Sequence, residues 1–146
     1  FGVGIAVEGN LVKISRETDQ KVHRAFHGMT RALISNMVKG VKTPFEKILE
    51  VHGTGYAADL KGPVLELDIG FSNKVEMKLP KGIEIKIDKQ RPIVVRVLGA
   101  DKQVVGQFSA EIRGIRPPSP YGENKGIRYR GETIRKKAGK AFGEKK

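Results

Sequence analysis

The sequence predicts an α+β fold of two similar units, each an antiparallel sheet packed by one helix, followed by an extended basic C-terminal tail. The hydrophobic period switches between about 2 and about 3.6 along the first 115 residues. That switch recurs at an offset of 82 residues, and the cations gather in the last quarter of the chain. The first unit is placed at residues 1–42, the second at 43–115 and the tail at 116–146.

In the first unit Val3, Ile5 and Val7 alternate with small or polar residues, Glu8-Gly9-Asn10 turns the chain, and Leu11 to Ile14 continues it as a hairpin. From Asp19 the period changes. Val22, Phe26, Met29, Leu33 and Met37 recur at three and four, which predicts an amphipathic helix of roughly 20 residues. Thr18 or Asp19 is expected to cap it and Gly40 to stop it, with a boundary at Thr43-Pro44. The chain opens at Phe1 on a strand already under way, and one hairpin under one helix is marginal in water, so further N-terminal strands are expected.

The second unit reads as strands over residues 47–60, 64–71, 74–79, 83–87 and 93–98, separated by turns rich in Gly, Pro, Ser and Asn. A helix starting at Asp101 sets Val104, Val105, Phe108 and Ile112 on one face, and Gly114 and Pro117 end it. At the 82-residue offset, Asp19-Gln20-Lys21-Val22 faces Asp101-Lys102-Gln103-Val104, Phe26 faces Phe108, and Leu11-Val12 faces Ile93-Val94. This pattern predicts a duplicated sheet-plus-helix unit.

Charge bounds the function. There are 28 Lys and Arg against 16 Asp and Glu, a net +12, which puts nucleic acid first among partners. Residues 113–146 alone carry 11 basic and 3 acidic side chains, net +8, against +4 for residues 1–112. Cysteine is absent, which excludes disulfides, thiolate nucleophiles and Cys-ligated metal. No apolar run approaches the ~18 residues of a membrane span and no signal pattern opens the chain, so a soluble, intracellular protein without a membrane partner is expected.

Enzyme-like motifs do not hold their context. Gly53-Thr54-Gly55-Tyr56-Ala57-Ala58 satisfies G-x-G-x-x-A, but a dinucleotide site needs a helix next, and Lys61-Gly62-Pro63 turns into another strand instead. Glycines that kink or bulge a strand account for it. His23 and His27 have the i, i+4 spacing of metal ligands, yet Arg24, Lys21 and Arg31 oppose a cation, so Lys21, Arg24, His27 and Arg31 read as a solvated basic helix face or as a phosphate contact. His52 has no triad partner. No catalytic residue, cofactor, metal or small-molecule substrate is expected.

The tail carries the functional signal. Pro117-Pro118-Ser119-Pro120-Tyr121 is stiff and extended, and Lys125-Gly126-Ile127-Arg128-Tyr129-Arg130-Gly131 interleaves cations with an aromatic and with glycines that permit close approach. Such a segment suits RNA, with cations for phosphates and Tyr for stacking on a base. The binding residues are placed at Arg113, Arg116, Tyr121, Lys125, Gly126, Arg128, Tyr129, Arg130, Arg135, Lys136, Lys137 and Lys140. Its composition cannot bury a core, so it is expected to order on its partner and to be dispensable for the second unit's folding.

Asp19 to Ile34, Gly53 to Ala58, Gly99 to Gly106, and Ile112-Arg113 through Arg116-Pro117-Pro118-Ser119-Pro120-Tyr121 to Glu132 together resemble the bacterial-type large-subunit ribosomal protein six family, over nearly the whole chain. The resemblance implies two similar α+β domains and a structural, non-catalytic protein of the large ribosomal subunit. It implies binding to large-subunit rRNA near the sarcin–ricin loop, with neighbouring ribosomal proteins at the stalk base, in the cytoplasm or an organelle. Family members begin with a further pair of strands. They usually follow the tail Tyr with Lys-Gly-Lys-Gly, where this chain has Gly122-Glu123-Asn124-Lys125-Gly126, one residue longer and one cation poorer. A free basic DNA- or RNA-binding protein outside the ribosome is the alternative, and an enzyme with an unrecognised site a third.

Overall fold

The computed structural model describes residues 2–121 and 124–137. The chain separates into two compact units, Phe1–Thr43 and Pro44–Lys146.

In the first unit β1 (Val3–Glu8) pairs antiparallel with β2 (Leu11–Arg16), from Val3↔Arg16 to Glu8↔Leu11. Gly9, with φ +57, supplies the first central position of a two-residue turn that an L side chain would strain. Helix α1 follows at Lys21–Lys42. Neither expected cap serves it. Thr18 Oγ1 bonds His23 Nδ1 at 2.7 Å, Asp19 pairs with Arg16 at 2.7 Å, and Gln20 takes the N-cap position without a side-chain bond. Gly40 lies buried inside the helix rather than after it. Thr43 ends the helix, its backbone N–H and its hydroxyl both reaching the Lys39 carbonyl, and Pro44 cannot continue it.

The α1 stripe follows the anticipated period, yet most of it is exposed. Phe26 is half-buried, whereas Val22, Met29, Leu33 and Met37 are 44–64% exposed. A two-stranded hairpin is narrower than a 22-residue helix and covers only one flank of it. On that flank His27 Nε2 donates to the Ile14 carbonyl at 3.2 Å, tying α1 to β2.

The second unit contains β3 (Phe45–His52), β4 (Ala57–Lys61), β5 (Val64–Asp68), β6 (Val75–Lys78), β7 (Ile83–Asp88), β8 (Ile93–Gly99), α2 (Lys102–Ile115) and β9 (Gly126–Tyr129). The strands form a four-stranded sheet in the order β7-β8-β3-β9 and a three-stranded sheet in the order β4-β5-β6. All the pairings are antiparallel. The anticipated single strand over 47–60 is thus two strands in different sheets. Gly53 to Tyr56 turns the chain between them, with Gly55 at φ +79.

Alternation fills one core. Leu49, Val51, Ile83, Ile85, Val95 and Val97 come from the four-stranded sheet, Ala58, Leu65, Leu67 and Ile69 from the β4–β5–β6 side, and Val105, Phe108 and Ile112 from α2. Asp101 caps α2 by accepting from the Gln103 N–H at 2.8 Å. Each unit runs hairpin then helix, β1-β2-α1 and β7-β8-α2, with β2 and β8 starting 82 residues apart at Leu11 and Ile93.

One correction is large. The tail was expected to stand away from the second unit, but β9 is an edge strand of its main sheet, with Val51↔Ile127 and Leu49↔Tyr129 in register. Ile127 is fully buried in the core. A short strand with one apolar residue is not visible as a strand in isolation. It forms because β3 offers both a free edge and an apolar slot. Removing residues 116–146 therefore opens the core instead of trimming a tail. Ile127→Ala should lower the second unit's unfolding free energy by about 2–5 kcal/mol, the usual loss for emptying a closed aliphatic site. Urea unfolding followed by circular dichroism checks this, and an unchanged midpoint would mean that the strand does not pack.

Candidate nucleic-acid interface

The segment after α2 is built onto the domain by main-chain bonds. The Ile127 N–H donates to the Arg116 carbonyl at 2.8 Å, Ser119 N–H to Lys125 at 2.9 Å, Arg130 N–H to Ile48 at 3.0 Å, and Lys137 N–H to Pro120 at 3.0 Å. Residues 116–119 therefore run beside 125–127. Gly126 sits at this crossing with φ +139, and a Cβ there would meet the Pro117 carbonyl oxygen at 2.6 Å and Pro118 Cα at 2.7 Å. Its small size makes room for the chain's own backbone.

Three of the arginines assigned to RNA have partners within the protein. Arg113 holds the Glu132 carboxylate in a fork, with Nε at 3.1 Å from Oε2 and Nη2 on Oε1. The same Oε2 accepts the Tyr129 N–H at 3.0 Å, so Glu132 also satisfies the outer edge of β9. Arg116 Nη1 donates to the carbonyls of Ile69 at 2.7 Å and Gly70 at 3.2 Å, and its guanidinium lies 5.6 Å from the Tyr56 ring and 5.1 Å from the Phe71 ring. Arg128 Nε reaches Glu50 Oε2 at 3.3 Å, beside His52 Nε2 at 3.1 Å from the same oxygen. Tyr129 is half-buried against the core, with Arg113 at 5.7 Å and Lys47 at 5.6 Å from its ring. Its position fits packing better than stacking on a base.

The pairing sets the acid response. The Arg113 fork, and secondarily the Tyr129 N–H, hold the Glu132 carboxyl below the usual glutamate range, while Glu132 raises Arg113. His52 first, and then Arg128, lower Glu50 against the opposing effect of burial.

Other cations of this segment stand exposed. Arg130, Arg135, Lys136 and Lys137 are exposed and make no ion pair among the described residues. Lys125 is exposed as well, and Tyr121 is 54% exposed. The Lys137 to Pro120 bond brings the 135–137 cations alongside the Pro-rich stretch that ends in Tyr121. Lys140 and the Gly122-Glu123 part of the anticipated loop lie outside the described residues.

The motifs set aside as structural are occupied locally. A Cβ on Gly53 would meet the Tyr56 ring at 2.5 Å, so the G-x-G turn makes room for an aromatic side chain. Two residues that matter were not singled out from the sequence: Glu132, whose partner is 19 positions away, and Phe71, which reads as the end of a strand but lies beyond β5 with its ring 47% exposed. No helix among the described residues is long and apolar enough to cross a membrane.

The family model for ribosomal protein L6 matches residues 52–130. Similar proteins include the large ribosomal subunit protein uL6 of Syntrophomonas wolfei, 50% identical over 143 residues, covering 98% of this chain and 78% of the relative. That of Geotalea uraniireducens is 48% identical over 139 residues, with 95% and 76% covered. That of Listeria monocytogenes serovar 1/2a is 47% identical over 138 residues, with 94% and 76% covered.

The Arg113–Glu132 fork supports a pH prediction. A depressed carboxylate pKa stabilises the fold above the unfolded glutamate pKa, and the contribution disappears as pH falls through the folded value. Glu132→Gln should therefore unfold at lower urea than the parent protein at neutral pH, and the two midpoints should converge on acidification. A gap that persists after the carboxylate is protonated would show that the charge is not what the fork uses.

Proposed function

The chain belongs to the ribosomal protein L6 family, and from that membership we propose a structural, non-catalytic protein of the large ribosomal subunit that binds large-subunit rRNA. Arg130, Arg135, Lys136 and Lys137, exposed and without an ion pair among the described residues, on a segment bonded to the second unit, are the observation that carries this reading. A net +12 favours a polyanion, and cations fixed to a folded edge reach phosphates at lower entropic cost than a loose tail does. Placement near the sarcin–ricin loop and the stalk base, beside neighbouring ribosomal proteins, rests on the family resemblance.

Arg113, Arg116 and Arg128 take a different role in this reading: they shape the surface on which the free cations stand. Gly126 and Tyr129 join them as parts of the scaffold.

Replacing Arg135, Lys136 and Lys137 together by Ala should weaken binding to a large-subunit rRNA fragment containing the sarcin–ricin loop by about 3 kcal/mol, on the order of a hundredfold. It should also lower the slope of log K against log salt by roughly 2 units, somewhat under one for each phosphate that is no longer neutralised. Filter binding at several salt concentrations, with an unrelated RNA duplex as competitor, measures both. Unchanged affinity would remove these cations from the interface, and equal affinity for any duplex would favour a free basic nucleic-acid binder.

A further inference from the structure

Among the described residues the exposed aromatic side chains are Phe71 and Tyr121, since Tyr129 is packed against the core. Phe71 is held by its neighbours. It stands in the turn between β5 and β6, and the Arg116 guanidinium lies 5.1 Å from its centroid. That guanidinium is itself fixed, since Nη1 donates to the carbonyls of the two residues preceding Phe71, at 2.7 and 3.2 Å, and the cation also meets the Tyr56 ring at 5.6 Å. Gly70 completes the frame, its φ of +77 turning the chain, and a Cβ there would press on Tyr56 at 3.2 Å and on Arg116 at 3.4 Å.

Phe71 is 47% exposed, and its ring lies against a guanidinium that is itself fixed by two carbonyls. A rigid aromatic surface, backed by a cation and open to solvent, has the form that stacks an unpaired nucleobase. Lys74, exposed in the same turn, adds positive charge for the adjoining phosphate.

We propose that Phe71, braced by Arg116, is a stacking platform for an unpaired base of the RNA this protein binds. The proposal rests on the rRNA reading above and adds a contact outside the C-terminal cations, one that acts through a ring face and not through charge.

The test uses the full chain and purified bacterial large-subunit rRNA at fixed salt. Phe71→Leu keeps an apolar side chain and leaves both carbonyl bonds of Arg116 in place. It should bind about 5- to 150-fold more weakly, the range for losing one stacked base, with the salt slope unchanged because every phosphate stays neutralised. Phe71→Trp should keep parental affinity. The chain has no native Trp, so indole emission from that variant reports this position alone and should be quenched as rRNA saturates it.

Parental affinity in Phe71→Leu, or indole emission indifferent to rRNA, overturns the platform. If the Arg135, Lys136 and Lys137 replacement weakens binding in the same assay while Phe71→Leu is silent, the platform falls and the rRNA reading stands. A parent protein that fails to bind large-subunit rRNA removes both. Reduced affinity accompanied by emission that responds only to added ribosomal proteins would assign the ring to a protein neighbour and overturn base stacking.

Discussion

The arrangement of the C-terminal half depends on the pairing of β9 with β3. This ladder sets Ile127 opposite Val51 and so closes the core between α2 and the main sheet. Once it forms, the other features are forced. The chain must return from α2 to the edge of β3, which brings Pro117 and Pro118 against Gly126 and leaves no space for a side chain there. The new edge would expose its own amides, and Arg116 and Glu132 take them up through a carbonyl and a carboxylate. Fixing Glu132 then calls for a cation on α2, and Arg113 supplies it.

The division of the basic side chains follows from the same constraint. The three that the fold uses at this edge, Arg113, Arg116 and Arg128, are all arginines. A guanidinium can fork a carboxylate, hold two carbonyls and lie against an aromatic ring at once, whereas an ammonium is a compact charge that keeps its water. The exposed set mixes Arg130 and Arg135 with Lys136 and Lys137, which suits contacts that ask only for positive charge. Part of the net +12 thus sits on side chains that hold the surface in shape.

Much of the fold was legible because periodicity is a local property. Ile83, Ile85 and Ile87 against Glu84 and Lys86 announce a half-buried strand, and Val105, Phe108 and Ile112 announce the inner face of α2. What failed depended on partners distant in sequence. Nothing within residues 126–129 indicates that β3, more than 70 residues earlier, has an open edge. The stripe on α1 shows the correct period, but whether it is buried depends on the width of the sheet beneath it. Gly126 and Tyr129 look the same in sequence whether the surface they approach belongs to RNA or to their own chain. Composition alone cannot show the packing of this segment, because proline and glycine that suggest a loose tail also build a tight crossing.

The segment through β9 belongs to the fold of the free protein, formed before any RNA arrives. Amide hydrogen exchange on the free protein tests it most directly, read at Ile127, which donates to Arg116, and at Arg130, which donates to Ile48. Both amides should be protected, and Ile127 should exchange only with the unfolding of the second unit, alongside Val51 and Val95 in the core. Exchange of Ile127 and Arg130 at the rate of an unstructured peptide, with protection appearing only when large-subunit rRNA is added, would contradict it.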